Sequence, residues 1–146
     1  MSRLLVDTNV LLRSFEADHP LAIPAAVALA ELGLERELVY GNQTAAEFLS
    51  VATRTRNGLG LTPKHAFEAF EEMTSSMVWL PEPEDVLQRL RSLYDEQRVR
   101  PGANLYDAKL AAFGLVHNLD GILTFNGRDF ARTGLPVVDP RDIEEA

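Results

Sequence analysis

The chain has 146 residues, enough for one domain with a continuous hydrophobic core. Cysteine is absent from the sequence, which excludes disulfide bonds, thiolate metal sites and a cysteine nucleophile. The 22 acidic residues outnumber the 14 basic ones. The resulting net charge of −8 argues against a general nucleic-acid-binding protein, because such proteins gain most of their affinity from neutralising phosphates.

Hydrophobic periodicity predicts an alternation of strands and helices along the whole chain. Strand 3–7 precedes helices 10–15 and 20–34, strand 37–40 precedes helices 44–57 and 62–75, strand 77–80 precedes helices 84–98 and 105–117, and strands 121–125 and 135–138 enclose a helical turn at 129–132. Such crossovers predict an α/β fold with a mostly parallel sheet of about five strands, covered on both faces. The order of the strands cannot be read from the pattern.

Neither a signal peptide nor a membrane-spanning segment is predicted. The opening apolar run reaches Asp7 almost at once, and no segment has the roughly 20 consecutive apolar residues that a membrane helix needs. We therefore expect residues 1–146 to form a single cytoplasmic domain that does not associate with membranes.

Four acidic residues are predicted to converge at one edge of the sheet. Asp7 ends the first strand, Glu47 lies in the first turn of the helix after the second, Asp107 begins the helix before the fourth, and Asp129 follows the fourth. Parallel sheets place functional residues beyond the carboxyl ends of their strands. Because like charges repel unless a cation lies between them, and no histidine or cysteine accompanies them, the set favours Mg²⁺ or Mn²⁺. Such a centre suits phosphodiester hydrolysis by metal-activated water.

Five segments resemble the PIN-domain family, in particular the VapC-type toxins of bacterial toxin–antitoxin pairs. In chain order these segments are Val6–Leu12, Thr44–Phe48, Tyr106–Ala112, Leu123–Phe130 and Pro136–Pro140. The resemblance implies a three-layer α/β/α PIN fold and metal-dependent endoribonuclease activity on an RNA substrate. It also implies a homodimer and a cognate antitoxin that inhibits the enzyme.

The fourth segment allows two assignments of its acidic ligand. Many members of the family carry an acid where this chain has Asn126, whereas others carry Asn there and an acid three residues later, as at Asp129. We assign Asp129 to the site and expect supporting polar roles for Thr8, Asn9, Thr124 and Asn126.

Several basic residues near these segments are candidates for contact with RNA phosphates. Arg13 follows the first segment, Arg54 and Arg56 end the predicted helix that carries Glu47, Lys109 follows Asp107, and Arg128 precedes Asp129. A local positive rim would reconcile an acidic protein with an RNA substrate.

Two alternative functions remain open at this stage. A PIN fold that binds RNA or protein without cutting is consistent with the acidic composition. An Asp-nucleophile phosphohydrolase is the other, since Asp7 ends a strand, although that mechanism requires a second acid two residues later, where the chain has Asn9.

Overall fold

The computed structural model describes residues 2–146 and has a five-stranded, all-parallel sheet at its centre. The strands are β1 (Arg3–Val6), β2 (Glu37–Tyr40), β3 (Val78–Trp79), β4 (Gly121–Leu123) and β5 (Val137–Val138). Their order across the sheet is β3-β2-β1-β4-β5, and every neighbouring pair is parallel. The sequence pattern did not predict this order.

Within residues 2–146, six α-helices and one 3₁₀ turn lie between the strands, and a second 3₁₀ turn follows β5. The helices are α1 (Thr8–Phe15), α2 (Ala22–Glu35), α3 (Asn42–Thr53), α4 (Pro63–Thr74), α5 (Val86–Asp95) and α6 (Leu105–Val116), and the 3₁₀ turns are Gly127–Asp129 and Pro140–Asp142. None of the helices in residues 2–146 is long and apolar enough to cross a membrane.

The sheet separates two hydrophobic clusters, as the predicted three-layer α/β/α architecture requires. Successive side chains of a strand point to opposite faces, so Leu4 packs with helices α1–α4 while Leu5 packs with α5 and α6. Phe48 on α3 and Phe113 on α6 are buried on these two faces. The predicted α/β fold class, parallel sheet and helical layers are therefore confirmed.

Several predicted element boundaries were wrong, and local backbone geometry explains them. Helix α1 begins at Thr8 rather than at residue 10, with Asp7 at the N-cap position. Helix α3 begins at Asn42 and ends at Thr53, because the chain turns extended at Arg54. Helix α5 covers only 86–95, and Gln97 beyond it has a positive φ of 57°. The edge strands β3 and β5 contain two residues each, which is shorter than the predicted strands 77–80 and 135–138.

Trp79 lies at the surface although it belongs to a strand of the central sheet. Its side chain is 48% exposed at the edge strand β3, and its Nε1 donates a hydrogen bond to Asn42 Oδ1 at 2.9 Å. An edge strand has only one neighbour to bury its side chains, and the ring therefore lies at the surface near the start of α3.

Candidate active site

The four predicted acidic residues line one cavity of about 540 Å³ at the carboxyl edge of the sheet. Asp7 directly follows β1, Asp107 lies in the first turn of α6, and Asp129 ends the 3₁₀ turn after β4. Glu47 lies in the second turn of α3, not the first as predicted, because that helix begins two residues early. The fold thus brings together carboxylates from four distant segments.

Asp7 is the most buried of the four acids, with 6% of its surface exposed. Its Oδ2 accepts hydrogen bonds from Thr124 Oγ1 at 2.8 Å and Asn9 Nδ2 at 3.3 Å. Burial raises the pKa of Asp7 to about 6, the negative charge of Glu47 adds to the rise, and the Thr124 hydroxyl opposes it. An ionised Asp7 is therefore costly unless a positive charge is close.

Thr124 and Asn9 connect the ends of β1 and β4 around the Asp7 carboxylate. The Thr124 hydroxyl accepts from the backbone N–H of Asn126 at 3.0 Å, and Asn9 Oδ1 accepts from the N–H of Phe125 at 3.4 Å. These bonds fix the loop after β4 and leave the side chain of Asn126 exposed at the cavity wall. The two residues therefore orient Asp7.

Both carboxylate oxygens of Glu47 are hydrogen-bonded to neighbouring side chains. Its Oε2 accepts from Thr8 Oγ1 at 3.1 Å, and its Oε1 accepts from Gln43 Nε2 at 2.7 Å. The same Gln43 amide donates to the carbonyl of Tyr106 at 2.8 Å, which joins α3 to the start of α6. Thr8 and Gln43 thus hold Glu47 toward the cavity.

Asp107 feels the charge of the other three acids directly. The pKa of Asp107 is raised to about 6, mainly by burial and then by the negative charges of Asp7, Asp129 and Glu47, in that order of importance. The ionised form of Asp107 is therefore destabilised both by burial and by the three neighbouring carboxylates.

The chemistry of these donors fits a hard divalent cation. All four acids offer carboxylate oxygens, which Mg²⁺ and Mn²⁺ prefer, and the raised pKa values of Asp7 and Asp107 show that a cation would relieve repulsion and desolvation. Within residues 2–146, no three His, Asp or Glu side chains are already arranged closely enough to hold a metal ion directly. The fit therefore rests on donor type and charge.

The predicted RNA-contacting basic residues fall into three groups. Arg13 pairs with Glu16 at 2.6 Å and lines a separate cavity together with Arg54. Lys109 pairs with Glu82 Oε1 at 2.9 Å and donates to Gln43 Oε1 at 3.3 Å.

The remaining two basic residues are exposed. Arg56 lines neither the carboxylate cavity nor the cavity of Arg13 and Arg54. Arg128 lines a further cavity, whose wall also includes Asp107 and Asp129.

The cavity also contains side chains that the sequence analysis did not assign to the site. Gln43, Asn104 and Tyr106 belong to its wall. Gln43 precedes Glu47 by four residues, a spacing that would have indicated this contact had the helix been predicted to start before residue 44. Asn104 caps α6 by accepting from the N–H of Tyr106 at 2.9 Å, and no sequence pattern marked its place beside the acids.

The fold and the cavity define the class of this protein: it is a parallel α/β protein with four carboxylates at the carboxyl edge of its sheet. Comparison with known proteins identifies its family. The model of the PIN domain family matches residues 4–135. The chain therefore belongs to the PIN domain family. No curated protein sequence matches it.

Solved structures with the same fold include complexes of toxins with antitoxins. The chain is similar to VapBC2 from Rickettsia felis bound to a fragment of promoter DNA, with 13% identity, a TM-score of 0.71 and coverage of 94% of this chain and 98% of that one. It is similar to a toxin–antitoxin complex from Klebsiella pneumoniae, with 24% identity, a TM-score of 0.66 and coverage of 96% and 99%. It is also similar to VapC20 from Mycobacterium tuberculosis, a toxin that cleaves the sarcin–ricin loop, with 17% identity, a TM-score of 0.64 and coverage of 90% and 95%. At these identities the similarity establishes the fold.

Proposed function

We propose that this chain is a VapC-type endoribonuclease that depends on Mg²⁺ or Mn²⁺ and hydrolyses RNA phosphodiester bonds. The observation that carries the proposal is the shared cavity of Asp7, Glu47, Asp107 and Asp129, in which the pKa values of Asp7 and Asp107 are both raised to about 6. Perturbed carboxylates that converge in a cleft are typical of functional sites. PIN-domain membership supports the same conclusion.

The proposal gives the acids and their neighbours distinct tasks. Asp7, Glu47, Asp107 and Asp129 would hold the divalent cation, which when bound supplies Lewis-acid stabilisation of the phosphate and of the attacking water. Thr124 and Asn9 orient Asp7, and Thr8 orients Glu47. Exposed Asn126 lines the cavity and provides a polar group for the substrate.

RNA as substrate and an antitoxin as partner are proposals that draw on the similar structures. VapC20 cleaves the sarcin–ricin loop, and the Klebsiella structure is a toxin–antitoxin complex. We infer that this chain likewise cuts RNA, is inhibited by a cognate antitoxin and forms a homodimer. We also infer that residues 1–146 act as one PIN domain in the cytoplasm.

The decisive experiment is cleavage of a labelled mixed RNA pool in Mg²⁺, Mn²⁺ or EDTA. The wild type should cut only with metal, and Asp7→Asn/Asp107→Asn should not cut. A matched control, Asp18→Asn/Asp95→Asn, removes two exposed carboxylates far from the cavity lining and should cut like the wild type. Wild-type cleavage by the Asp7→Asn/Asp107→Asn variant would show that the site is wrongly assigned.

The same purified protein distinguishes the alternatives. RNA or protein binding without cutting in any metal, together with no Mg²⁺ binding by calorimetry, would favour a non-catalytic PIN-fold binding module. A beryllofluoride adduct on Asp7 would instead favour the Asp-nucleophile phosphohydrolase.

A further inference from the structure

A second cavity, of about 320 Å³, adjoins the carboxylate cavity and has the opposite charge character. Asn104, Asp107 and Asp129 belong to the walls of both cavities, so the two spaces lie side by side. Four arginines line the second cavity, which we call the arginine pocket: Arg98, Arg100, Arg128 and Arg132. More than a quarter of the chain's 14 basic residues therefore converge beside its most acidic region.

Three of these four arginines have no direct side-chain partner within residues 2–146. Arg98 pairs with Glu96 Oε2 at 2.9 Å, and its guanidinium also donates to the carbonyl of Arg132 at 3.4 Å. The side chains of Arg100, Arg128 and Arg132 make no ion pair or hydrogen bond within the described residues and are exposed. A protein with a net charge of −8 thus keeps an unpaired positive cluster next to its carboxylates.

Resting on the proposed ribonuclease function, we propose that the arginine pocket binds the RNA phosphate next to the scissile one. Guanidinium groups bind phosphate oxygens through paired N–H donors. A strand whose scissile phosphate lies at Asp107 and Asp129 must place a neighbouring phosphate close by, because phosphates recur at every nucleotide. The wall that the two cavities share runs through these same two acids.

RNA fits this pocket better than an acidic peptide does. Both ligands carry negative charge, but the carboxylate cavity repels anions unless a cation is bound there, and only a nucleic acid has chemistry that uses both cavities at once. The arginines then offset the repulsion that the acids exert on the approaching strand, which gives the acidic protein a local means of attracting its substrate.

Binding without cleavage isolates the proposal from the nuclease chemistry. The probe is a fluorescent pool of single-stranded RNA 12-mers, titrated by anisotropy in EDTA at 25–200 mM salt with an Asp7→Asn background. Arg100→Gln/Arg128→Gln is compared with Arg36→Gln/Arg91→Gln, which has the same net charge and whose altered residues line neither cavity. Circular dichroism and thermal melting establish that each variant is folded.

We expect the pocket variant to lower the slope of log Kd against log salt by about 0.7, because the pocket binds one phosphate and each lost phosphate contact removes about 0.7 for a single strand. The control variant should leave the slope unchanged, and a poly-glutamate 12-mer should not compete. Equal slopes in the two variants, no RNA binding by the parent, or competition by poly-glutamate as strong as by RNA would each overturn the proposal.

Cleavage by the otherwise wild-type protein tests the two proposals separately. The pocket variant should raise KM several-fold while kcat changes little, since it lacks a binding contact and keeps the four acids. Metal-dependent cutting with an unchanged KM would refute the arginine pocket and leave the nuclease intact. RNA binding that depends on the arginines, without cutting by any form, would refute the nuclease instead.

Discussion

Replacing Asp7 with asparagine should stabilise the metal-free protein while it abolishes the proposed activity. Asp7 is 6% exposed, and burial raises its pKa from the usual 3.8 to about 6. The asparagine carbonyl can still accept the hydrogen bonds from Thr124 and Asn9, so the variant removes the buried charge and keeps the contacts. A carboxylate required by function is then a cost to the fold.

The expected magnitude follows from the pKa shift. A group whose pKa is raised in the folded state contributes fully to stability below its unfolded pKa and loses that contribution as pH rises through the folded pKa. A pKa shift of about two units corresponds to about 3 kcal/mol, since each unit is about 1.4 kcal/mol. This value is the upper limit for the gain in the free energy of unfolding of Asp7→Asn over the wild type at pH 8. At pH 4, where folded Asp7 is protonated, the free energies of unfolding of wild type and Asp7→Asn should differ by less than about 1 kcal/mol.

Urea denaturation in EDTA at pH 4 and pH 8, followed by circular dichroism, measures this difference. The free energy of unfolding of Asp18→Asn, a change at an exposed position, should stay within about 0.5 kcal/mol of the wild-type value at both pH values. Adding Mg²⁺ should then stabilise the wild type more than Asp7→Asn, by about 2.7 kcal/mol at one hundred times the dissociation constant. An Asp7→Asn protein that is less stable than the wild type at pH 8 would refute the electrostatic reasoning.

Three further substitutions test two hydrogen bonds of the site and one close approach within the sheet. Thr124→Val removes the hydroxyl that donates to Asp7 and should lower the free energy of unfolding at pH 8 by about 1–3 kcal/mol, an effect that Thr124→Ser should largely avoid. Gln43→Leu removes the amide that holds the α3 carboxylate and should weaken Mg²⁺ binding at least about tenfold by calorimetry; wild-type affinity would argue against a positioning role. Gly121→Ala would place a Cβ 2.8 Å from the backbone carbonyl oxygen just before β5 and should cost about 1–3 kcal/mol in a melting experiment. Gly33→Ala, which meets only ordinary contacts, should be neutral or stabilising, so an equal loss in both would count against the steric explanation.

The sequence predicted the fold class and the segments that carry the acids because both depend on local patterns. Asp7 was placed correctly since a buried strand that ends in an acid leaves little freedom, and Asp107 since α6 begins where its periodicity does. Glu47 was placed one turn too early because nothing local showed that α3 starts at Asn42, directly after the strand. Helix boundaries depend on the tertiary contacts around the first turn as well as on sequence.

Apart from the local contact of Gln43 with Glu47, the parts of the site that the sequence did not reveal depend on contacts between distant elements. The contact between Gln43 and Tyr106 joins α3 to α6, and the contact of Arg98 with the Arg132 carbonyl joins two loops. The ion pair of Lys109 with Glu82 likewise joins α6 to the loop after β3, and the prediction of Lys109 as an RNA contact did not include it. No periodicity encodes such a pairing.

The strand order explains why the acids converge even though they lie 122 residues apart at the extremes, from Asp7 to Asp129. Strand β1 lies at the centre between β2 and β4, so the chain first builds outward to β3 and then crosses back to the other side. The carboxyl ends of β2, β1 and β4 are therefore neighbours, and the segments that follow them deliver Glu47, Asp7 and Asp129 to one cavity. Helix α6 leads into β4 from the same edge, which adds Asp107. A ligand crevice is expected at such a reversal of strand order, and here the reversal also brings the loops before α6 and after β4 together, which places the arginine pocket beside the acids.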